Sequence, residues 1–582
     1  PEPFVVEPWW GRFGSTALTL LRQIARRPFD PLPRLILADF LEENGASARA
    51  EFIRLQVAEM NNRWGWEDKK YWPERERALW QQHRDEWLEG LPKWSWCLWG
   101  GLVEGVAVRT PKLWRVARQQ IDVRRVSCDF RDFDTLLKNL ELLAGVVYLA
   151  VAGSQLGVAR LRALVQSPFI QHVAVLNLMS QRIGMEGVLA LALSPYLQNL
   201  TELILGWNGL GDGGVEVLAH FPSLEHLTTL NLWWNGVGDA GAEALAQSPN
   251  LRNLTTLYLG WNGIGDAGAE ALAQSPYLQN LITLDLEYNE IGTMGAEALA
   301  QSPHLQNLTT LELESNGIGA AGAQALARSP YLQNLTRLNL GDNDIGAAGA
   351  EALAQSPHLQ NLTTLELGGN GIGAAGAEAL ARSPYLRSLS VLYLESNGIG
   401  AAGAQALARS PYLHHLTMLN LWCNGIGDAG AEALAQSPNF RNLTTLNLGY
   451  NKIGDAGAEA LAQSPNFRNL TTLDLGYNKI GDAGAEALAR SSQLQNLTTL
   501  DLRYNKIGDA GAKALAQSPY FRNLTTLNLG CNGIGAAGAE ALAKSPHLHN
   551  LTMLVLWDNG ISEAGREALK NSPYLRQCEV RL

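Results

Sequence analysis

Residues 254–276 read LTTLYLGWNGIGDAGAEALAQSP, and this stretch decides the fold. Leu257, Tyr258 and Leu259 alternate, so the two leucines face one side and Tyr258 the other, as in a strand. Asn262 ends that strand. Asp266 follows as a candidate helix N-cap; Gly268, Ala271 and Leu272 share one helical face at i, i+3 and i+4, and Pro276 stops the helix. The stretch is one short strand followed by one short helix.

The same phrase returns in both directions. Leu200, Leu227, Leu254 and every 27th residue as far as Leu551 open it without insertion, and Val173 and Val146 hold the same phase in weaker copies, which makes 16 units. A lone unit of this size cannot bury its own leucine stripe, whereas stacked units bury it against their neighbours. The fold class is therefore α/β: a curved solenoid of 27-residue strand–helix units with a parallel sheet on its concave side. The tail CEVRL, from Cys578, fits the phrase imperfectly, as a terminal cap does.

Composition agrees. Of 582 residues 46% are hydrophobic and only 17% charged, the reverse of a disordered chain. No run of 18 apolar residues is present, which argues against membrane insertion. The net charge of −11 argues against nucleic-acid binding, which needs a basic face. The acidity belongs to the repeats: residues 1–145 hold 22 basic and 21 acidic residues, leaving 23 basic and 35 acidic residues beyond them. Five scattered cysteines do not form a disulfide framework and favour a reducing interior. Localisation is left open by the sequence: the cysteine usage favours the cytoplasm, and an extracellular site is the alternative if Pro1 follows a cleaved leader.

The phrase LxxLxLxxN, its Gly-rich turn and its Ala-Leu helix resemble the leucine-rich repeat superfamily, and the helical outer segment resembles the ribonuclease-inhibitor-like subclass. The resemblance covers residues 146–582 and is carried by an Asn that recurs at 14 successive positions from Asn208 to Asn559. It implies that the Asn side chain bonds to neighbouring loop backbone as a ladder. Gln181 departs from that pattern, which places the start of the ladder in question.

Residues 15–110 carry no 27-residue phase but contain helical stretches, TALTLLRQIARR, RLILADFLEEN and SARAEFIRLQVAEM. FDPLPRLILADFLEENG and ARAEFIRLQ, followed by LWGGLVEGVAV, resemble the bacterial repeat-companion domain that precedes repeat arrays; that resemblance implies an architecture and no activity. The expected organisation is an N-terminal arm at 1–14, a helical companion domain at 15–110, an adapter capping the solenoid at 111–145, the solenoid at 146–577 and a cap strand at 578–582. Eleven of the 17 tryptophans lie before residue 115, and PEPFVVEPWW, with Trp9 and Trp10, reads as an extended arm that offers a contact for self-assembly.

Within each unit the leucines build the core and the positions between them point to the concave face. The remaining six tryptophans fall there. Trp207, Trp234, Trp261 and Tyr288 share the column before the ladder Asn, Tyr450, Tyr477 and Tyr504 continue it, and Trp233 stands beside it. At about 4.8 Å between strands such rings form a near-continuous strip. Asp285, Glu312, Glu366, Asp474 and Asp501 form a second column, joined by Glu287, Glu314 and Glu395 on its neighbour, so the middle of the face is acidic. Aromatic residues with charge alongside are the usual composition of protein interfaces.

Other patterns carry no chemistry. GIGAAG at Gly317–Gly322 satisfies GxGxxG, but the pattern recurs in unit after unit, and no chain holds that many dinucleotide sites. Asn-Leu-Thr, as at Asn253, Asn307 and Asn496, is formally a glycosylation acceptor, yet its Asn sits at a fixed turn and reads as a structural cap. The histidines, including His414–His415 and His547/His549, have no ligand spacing, and HExxH, CxxC and GxSxG are missing from the sequence. No catalytic, cofactor or metal residue is assigned. Similar repeats occur in Ran GTPase-activating proteins, but no residue here singles out that activity. The expected function is a non-catalytic scaffold binding a protein partner, one with basic patches, through Trp207, Trp233, Trp234, Trp261, Tyr288, Glu287, Glu312, Glu314, Tyr450, Tyr477 and Tyr504. The alternatives are self-assembly into rings or filaments through Trp9 and Trp10, and glycan binding along the aromatic strip.

Overall fold

The computed structural model describes residues 32–44, 46–58, 79, 82–83, 96–99, 102–108, 125–128, 137–151 and 156–582. They fall into two compact units, one running to Val237 with Gln247–Leu254, the other made of Gly238–Ala246 with Thr255–Leu582. The 1–14 arm with Trp9 and Trp10 lies outside the described residues.

In the first unit, helices Leu32–Glu43 and Ser47–Ala58 pack together through buried Leu37, Leu41, Phe52 and Ile53. Arg54 reaches back to Asp39 and Glu42, 2.6 Å from each. The stretch read as mainly helical also holds an antiparallel pair, Trp96–Trp99 with Leu102–Val108. From Leu102–Val108 onward pairing is parallel, through Arg125–Cys128, Tyr148–Val151, Val175–Asn177, Glu202–Ile204 and Thr229–Asn231.

The second unit is a regular solenoid. Its strands run from Thr256–Tyr258 to Met553–Val555, each parallel to the next, with Leu257 opposite Leu284 and Leu284 opposite Leu311. The last strand, Glu579–Arg581, sets Met553 opposite Glu579, one residue short of the 27-residue step, so the cap slips register where Cys578 replaces the opening leucine. Leu281, Leu284, Leu286, Ile291, Ala296 and Leu299 of one repeat are all buried. Helices of eight to ten residues, such as Asp482–Ala489 and Gly346–Gln355, are too short to hold alone in water and depend on this packing.

Side chains satisfy backbone groups in the neighbouring repeat. Asn289 Nδ2 donates to the carbonyls of Leu259, Leu286 and Glu287 at 3.0–3.1 Å, while its Oδ1 accepts from the Ile264 N–H. Gln181 does the same work in the first unit, donating to Val151 and Met179 and accepting from the Leu156 N–H, so the ladder already exists at the departure from Asn. Ser275 Oγ donates to the Ala246 carbonyl. In the Asn-Leu-Thr phrase, Asn307 Nδ2 donates to the Gln279 carbonyl and Thr309 Oγ1 to the Ile282 carbonyl. Those Asn residues are indeed caps.

The sequence places Asp266 at the cap of its own helix, and here the structure differs. Asp266 is the first residue of helix Asp266–Gln274, and its Oδ1 accepts from Gly292 and Gly295, at the start of the following repeat's helix Thr293–Gln301. A carboxylate at a helix N-terminus satisfies orphan N–H groups and complements the dipole, and this one acts across repeats. Asp239, Asp428, Asp455, Asp482 and Asp509 do likewise.

This contact selects the turn. Wherever the preceding repeat supplies the Asp, the receiving glycine (Gly265, Gly292, Gly454, Gly481, Gly508, Gly535) is extended, with φ between −93° and −103°. Where it supplies Thr293, Ala320, Ala347, Ala374 or Ala401 instead, Gly319, Gly346, Gly373, Gly400 and Gly427 turn left-handed, with φ between +60° and +65°, and give their N–H to the next repeat's Asn carbonyl. Gly400→Ala should therefore cost about 1 kcal/mol, since a Cβ disfavours the left-handed region. Gly481→Ala should cost less, because its φ is −101° and its nearest neighbour is Asp455 Oδ2, 3.4 Å away. In an Asp455→Ala background Gly481→Ala should become as costly as Gly400→Ala. Urea unfolding midpoints of the double-mutant cycle check this, and additive costs would refute the coupling.

Candidate partner-binding face

The open face of the strands begins with a backbone peculiarity. The residue before each ladder Asn lies in the left-handed region: Trp207, Trp234, Trp261, Tyr288, Tyr450, Tyr477 and Tyr504 all have φ between 49° and 60°. The chain must turn there to bring the Asn inward, and the residue's N–H continues the sheet, as Trp261 N–H to the Glu287 carbonyl at 2.9 Å. Bulky residues are costly in this region, by about 1–2 kcal/mol each. Among the ladder repeats only Gly369 holds the residue the backbone favours.

In the first unit Trp207 and Trp234 stack with centroids 4.3 Å apart and planes 11° from parallel, and Trp233 stands 6.0 Å from both at a steep tilt. In the second unit Trp261 and Tyr288 stack at 3.9 Å. A longer series runs Trp422, Tyr450, Tyr477, Tyr504, Trp557, with centroid spacings between 4.1 and 6.0 Å. Arg503 covers Tyr477, its guanidinium carbon 5.5 Å from the ring centre. The expected continuous strip is therefore divided within the second unit, because Ser315, Asp342, Gly369, Ser396 and Cys423 fill the column between the two groups. Its column aromatics all stand in Asp-capped repeats and the five interruptions all stand in left-handed-glycine repeats; Cys531 is capped without a ring.

The acidic columns divide by role. Asp285, Asp474 and Asp501 each accept from the N–H two residues on, as Asn231, Asn339 and Asn447 do at the same position, and so serve the turn. Glu312 and Glu366 grip Arg337 from the strands on either side, with Nε 2.5 Å from Glu312 Oε1 and Nη2 2.6 Å from Glu366 Oε1. The second contact is an ion pair by distance, since no donor is aligned on the buried Glu366 Oε1. Glu314 accepts from the Tyr288 hydroxyl at 3.2 Å and from Asn339 Nδ2 at 3.0 Å, which ties the Trp261–Tyr288 stack to the acidic region.

Of the residues singled out from sequence, the structure brings Trp207, Trp233 and Trp234 together in one unit. In the other it joins Trp261, Tyr288 and Glu314, sets Glu287 beside Asp285 and Tyr450, Tyr477 and Tyr504 in series, and gives Glu312 to Arg337. Sequence reading missed Arg337 and Arg503. Each departs from its column, Arg337 replacing the usual Thr and Arg503 a frequent Gly, and that departure was the available signal.

Parallel strands one repeat apart, a helix behind each strand and variable side chains on the open sheet face define a strand–helix repeat solenoid. Thirteen segments, from 196–219, 223–246 and 250–273 through each later repeat to 493–516 and 522–543, match the Leucine Rich repeat family, and together they span about half of the chain. The chain belongs to the leucine-rich repeat family, whose members are generally protein-interaction scaffolds. Among solved structures it is similar to an internalin from Listeria monocytogenes, 24% identical over 68% of this chain and 93% of that one, TM-score 0.38. A Leptospira interrogans leucine-rich repeat protein is 22% identical over 72% and 97%, TM-score 0.43. The ectodomain of an Arabidopsis thaliana plant membrane receptor kinase is 16% identical over 75% and 64%, TM-score 0.30. No curated protein matches the chain. No helix among the described residues is long and apolar enough to cross a membrane.

Burial raises Asp285 to about 7, helped by Glu287, Glu312 and Glu314 and opposed by the Glu287 N–H. Burial likewise raises Glu366 to about 7, with Arg337 opposing and Glu312, Glu395 and Glu314 adding. A carboxyl raised in the folded state destabilises it when ionised; the penalty is full above pH 7, shrinks as pH falls, and vanishes below the unfolded value of about 4. Asp285→Asn keeps the acceptor for the Glu287 N–H and removes the charge. It should stabilise the protein by at least ~1 kcal/mol at pH 8 and by much less at pH 5. Urea midpoints of both proteins at the two pH values measure this, and an equal gain at pH 5 would count against buried ionisation as the cause.

Proposed function

We propose that the chain is a non-catalytic recognition scaffold that binds a protein partner on the open sheet face. One observation carries the reading: seven aromatic rings share one column whose left-handed backbone penalises them, and they remain partly exposed, with Tyr450 at 52%. A residue kept where the backbone resists it and where it adds little to the core is kept for what it touches. The residues assigned to the partner are Trp207, Trp233 and Trp234 in the first unit and Trp261, Tyr288, Glu287, Glu314, Tyr450, Tyr477 and Tyr504 in the second. Glu312 acts through Arg337. We read the N-terminal segment as a repeat-companion domain and the array as ribonuclease-inhibitor-like.

Self-association is a second reading, now with an observation of its own. On helix Gly184–Ala192 and its cap, Met185, Leu189 and Leu193 are exposed at i, i+4 and i+8, with Leu193 at 73%, where later repeats place Asp266, Glu270 and Gln274. A self-contact through this stripe should show as a mass above the monomer in light scattering and fall to the monomer in Leu189→Glu with Leu193→Gln. An unchanged mass would remove the reading.

For the main reading, Trp261→Gly with Tyr288→Gly should stay within about 1 kcal/mol of the parent's stability, because relief of two left-handed positions offsets the lost stacking. Peptides selected from a phage-displayed random library on the parent protein should bind this variant at least tenfold more weakly. Selected peptides that bind both proteins equally would overturn the assignment of Trp261 and Tyr288.

A further inference from the structure

The second unit holds an internal example of the contact its face can make. Arg337 reaches both Glu312 and Glu366, which stand on the strands to either side, so one guanidinium spans two carboxylates across the sheet. Arginine is suited to this because its donors form a rigid fork.

One column away stands a second carboxylate group that no arginine or lysine among the described residues pairs with; its hydrogen-bond donors are neutral, Tyr288 and Asn339 on Glu314 and Asn420 Nδ2 on Glu395. Glu314 leans over Gly341, where an added Cβ would meet Glu314 Cγ at 3.3 Å. Glu395 leans from the other side over Gly368, and Asp342 over Gly369, where an added Cβ would come within 2.7 Å and 1.7 Å of their carboxylate oxygens. The three acids thus converge on a floor of three glycines. The charges acting on Glu395 are Glu314 and Asp342, and those acting on Asp342 are Glu314 and Asp344, all acidic. Burial is the first cause that holds both carboxyls above their ordinary range, so a cation placed here relieves repulsion as well as gaining attraction.

The surroundings specify how the cation is carried. Aromatic rings flank the group on both sides, Trp261 and Tyr288 before it, Trp422 and Tyr450 after it. Five repeats separate Tyr288 from Cys423, so at ~4.8 Å per strand the interval is about 24 Å, which an extended chain covers in about seven or eight residues. We infer that this face takes an extended segment of a protein partner that carries an arginine, with the guanidinium seated among Glu314, Asp342 and Glu395 and apolar ends on the flanking rings. The inference rests on the recognition reading and specifies its partner.

The test uses the full chain and a labelled, end-capped octapeptide with tryptophan at each end and two central arginines, followed by fluorescence anisotropy. Replacing both arginines by citrulline, which keeps the shape and removes the charge, should weaken binding at least tenfold. Glu314→Gln with Glu395→Gln should do the same to the arginine peptide. Glu351→Gln with Glu378→Gln, an equal loss of charge on the helical side, should change it less than twofold. Equal binding of the citrulline peptide, equal loss in the helical-side variant, or no binding of the arginine peptide overturns the inference. Equal binding of both peptides that disappears in Trp261→Gly with Tyr288→Gly removes the arginine and keeps the recognition reading. Binding that survives those glycines but fails in the glutamine variant keeps the guanidinium site and removes the aromatic assignment.

Discussion

Every repeat leaves backbone N–H and C=O groups at the end of its strand and the start of its helix that it cannot satisfy itself, and the neighbouring repeat satisfies them. Asn289 fills carbonyls and an N–H of the repeat before it; Asp266 caps the helix of the repeat after it. Buried or half-buried backbone groups left unpaired would each cost on the order of 1–3 kcal/mol, so these contacts are not optional once the leucines have packed. They also fix the step. An insertion in one repeat would separate Asn from its carbonyls, which accounts physically for an array without insertions.

That constraint determines which positions are free to vary. Leucines, the ladder Asn and the Ser of the Ser-Pro turn are committed, while the open-face columns are not. The column before Asn is unusual in being free of packing but not of backbone demands, since its φ is set by the turn that delivers the Asn. Glycine would suit it best. Tryptophan and tyrosine therefore mark where the face differs from what folding alone selects, and they do so mostly in the repeats whose next turn is held extended by an Asp cap. A capped turn is tied to both neighbours, and placing rings beside such turns limits how far the face can shift.

Much of this was legible in the sequence. The 27-residue period gave strand, helix and core, because identical leucines at a fixed interval have one packing solution. The aromatic and acidic columns followed from the same alignment. What could not be read was direction along the stack: whether Asp266 caps its own helix or the next, whether Glu314 leans forward and Glu395 back, and which carboxylates Arg337 reaches. These depend on distances between repeats, and a period defines equivalence without defining contact. Gln181 shows the limit from the other side, since a longer side chain fills the same ladder contacts that the motif assigns to Asn.

The open face also shows why a site here is a property of adjacent repeats. A large side chain in the column two residues before the ladder Asn often lies over a glycine in a neighbouring repeat: Glu314 over Gly341, Trp422 over Gly449, Trp557 over Gly530. Neither partner has meaning alone, because the glycine is needed only where a neighbour lies across it. The same holds for the Asp cap and the glycine whose backbone it selects. Stability in such arrays is close to a sum of repeat and nearest-neighbour contributions. A repeat moved singly would keep its leucines and lose its place on the face. The smallest piece that can carry recognition from one position to another is therefore a pair of repeats, and the acidic group spanning Glu314 to Glu395 needs four.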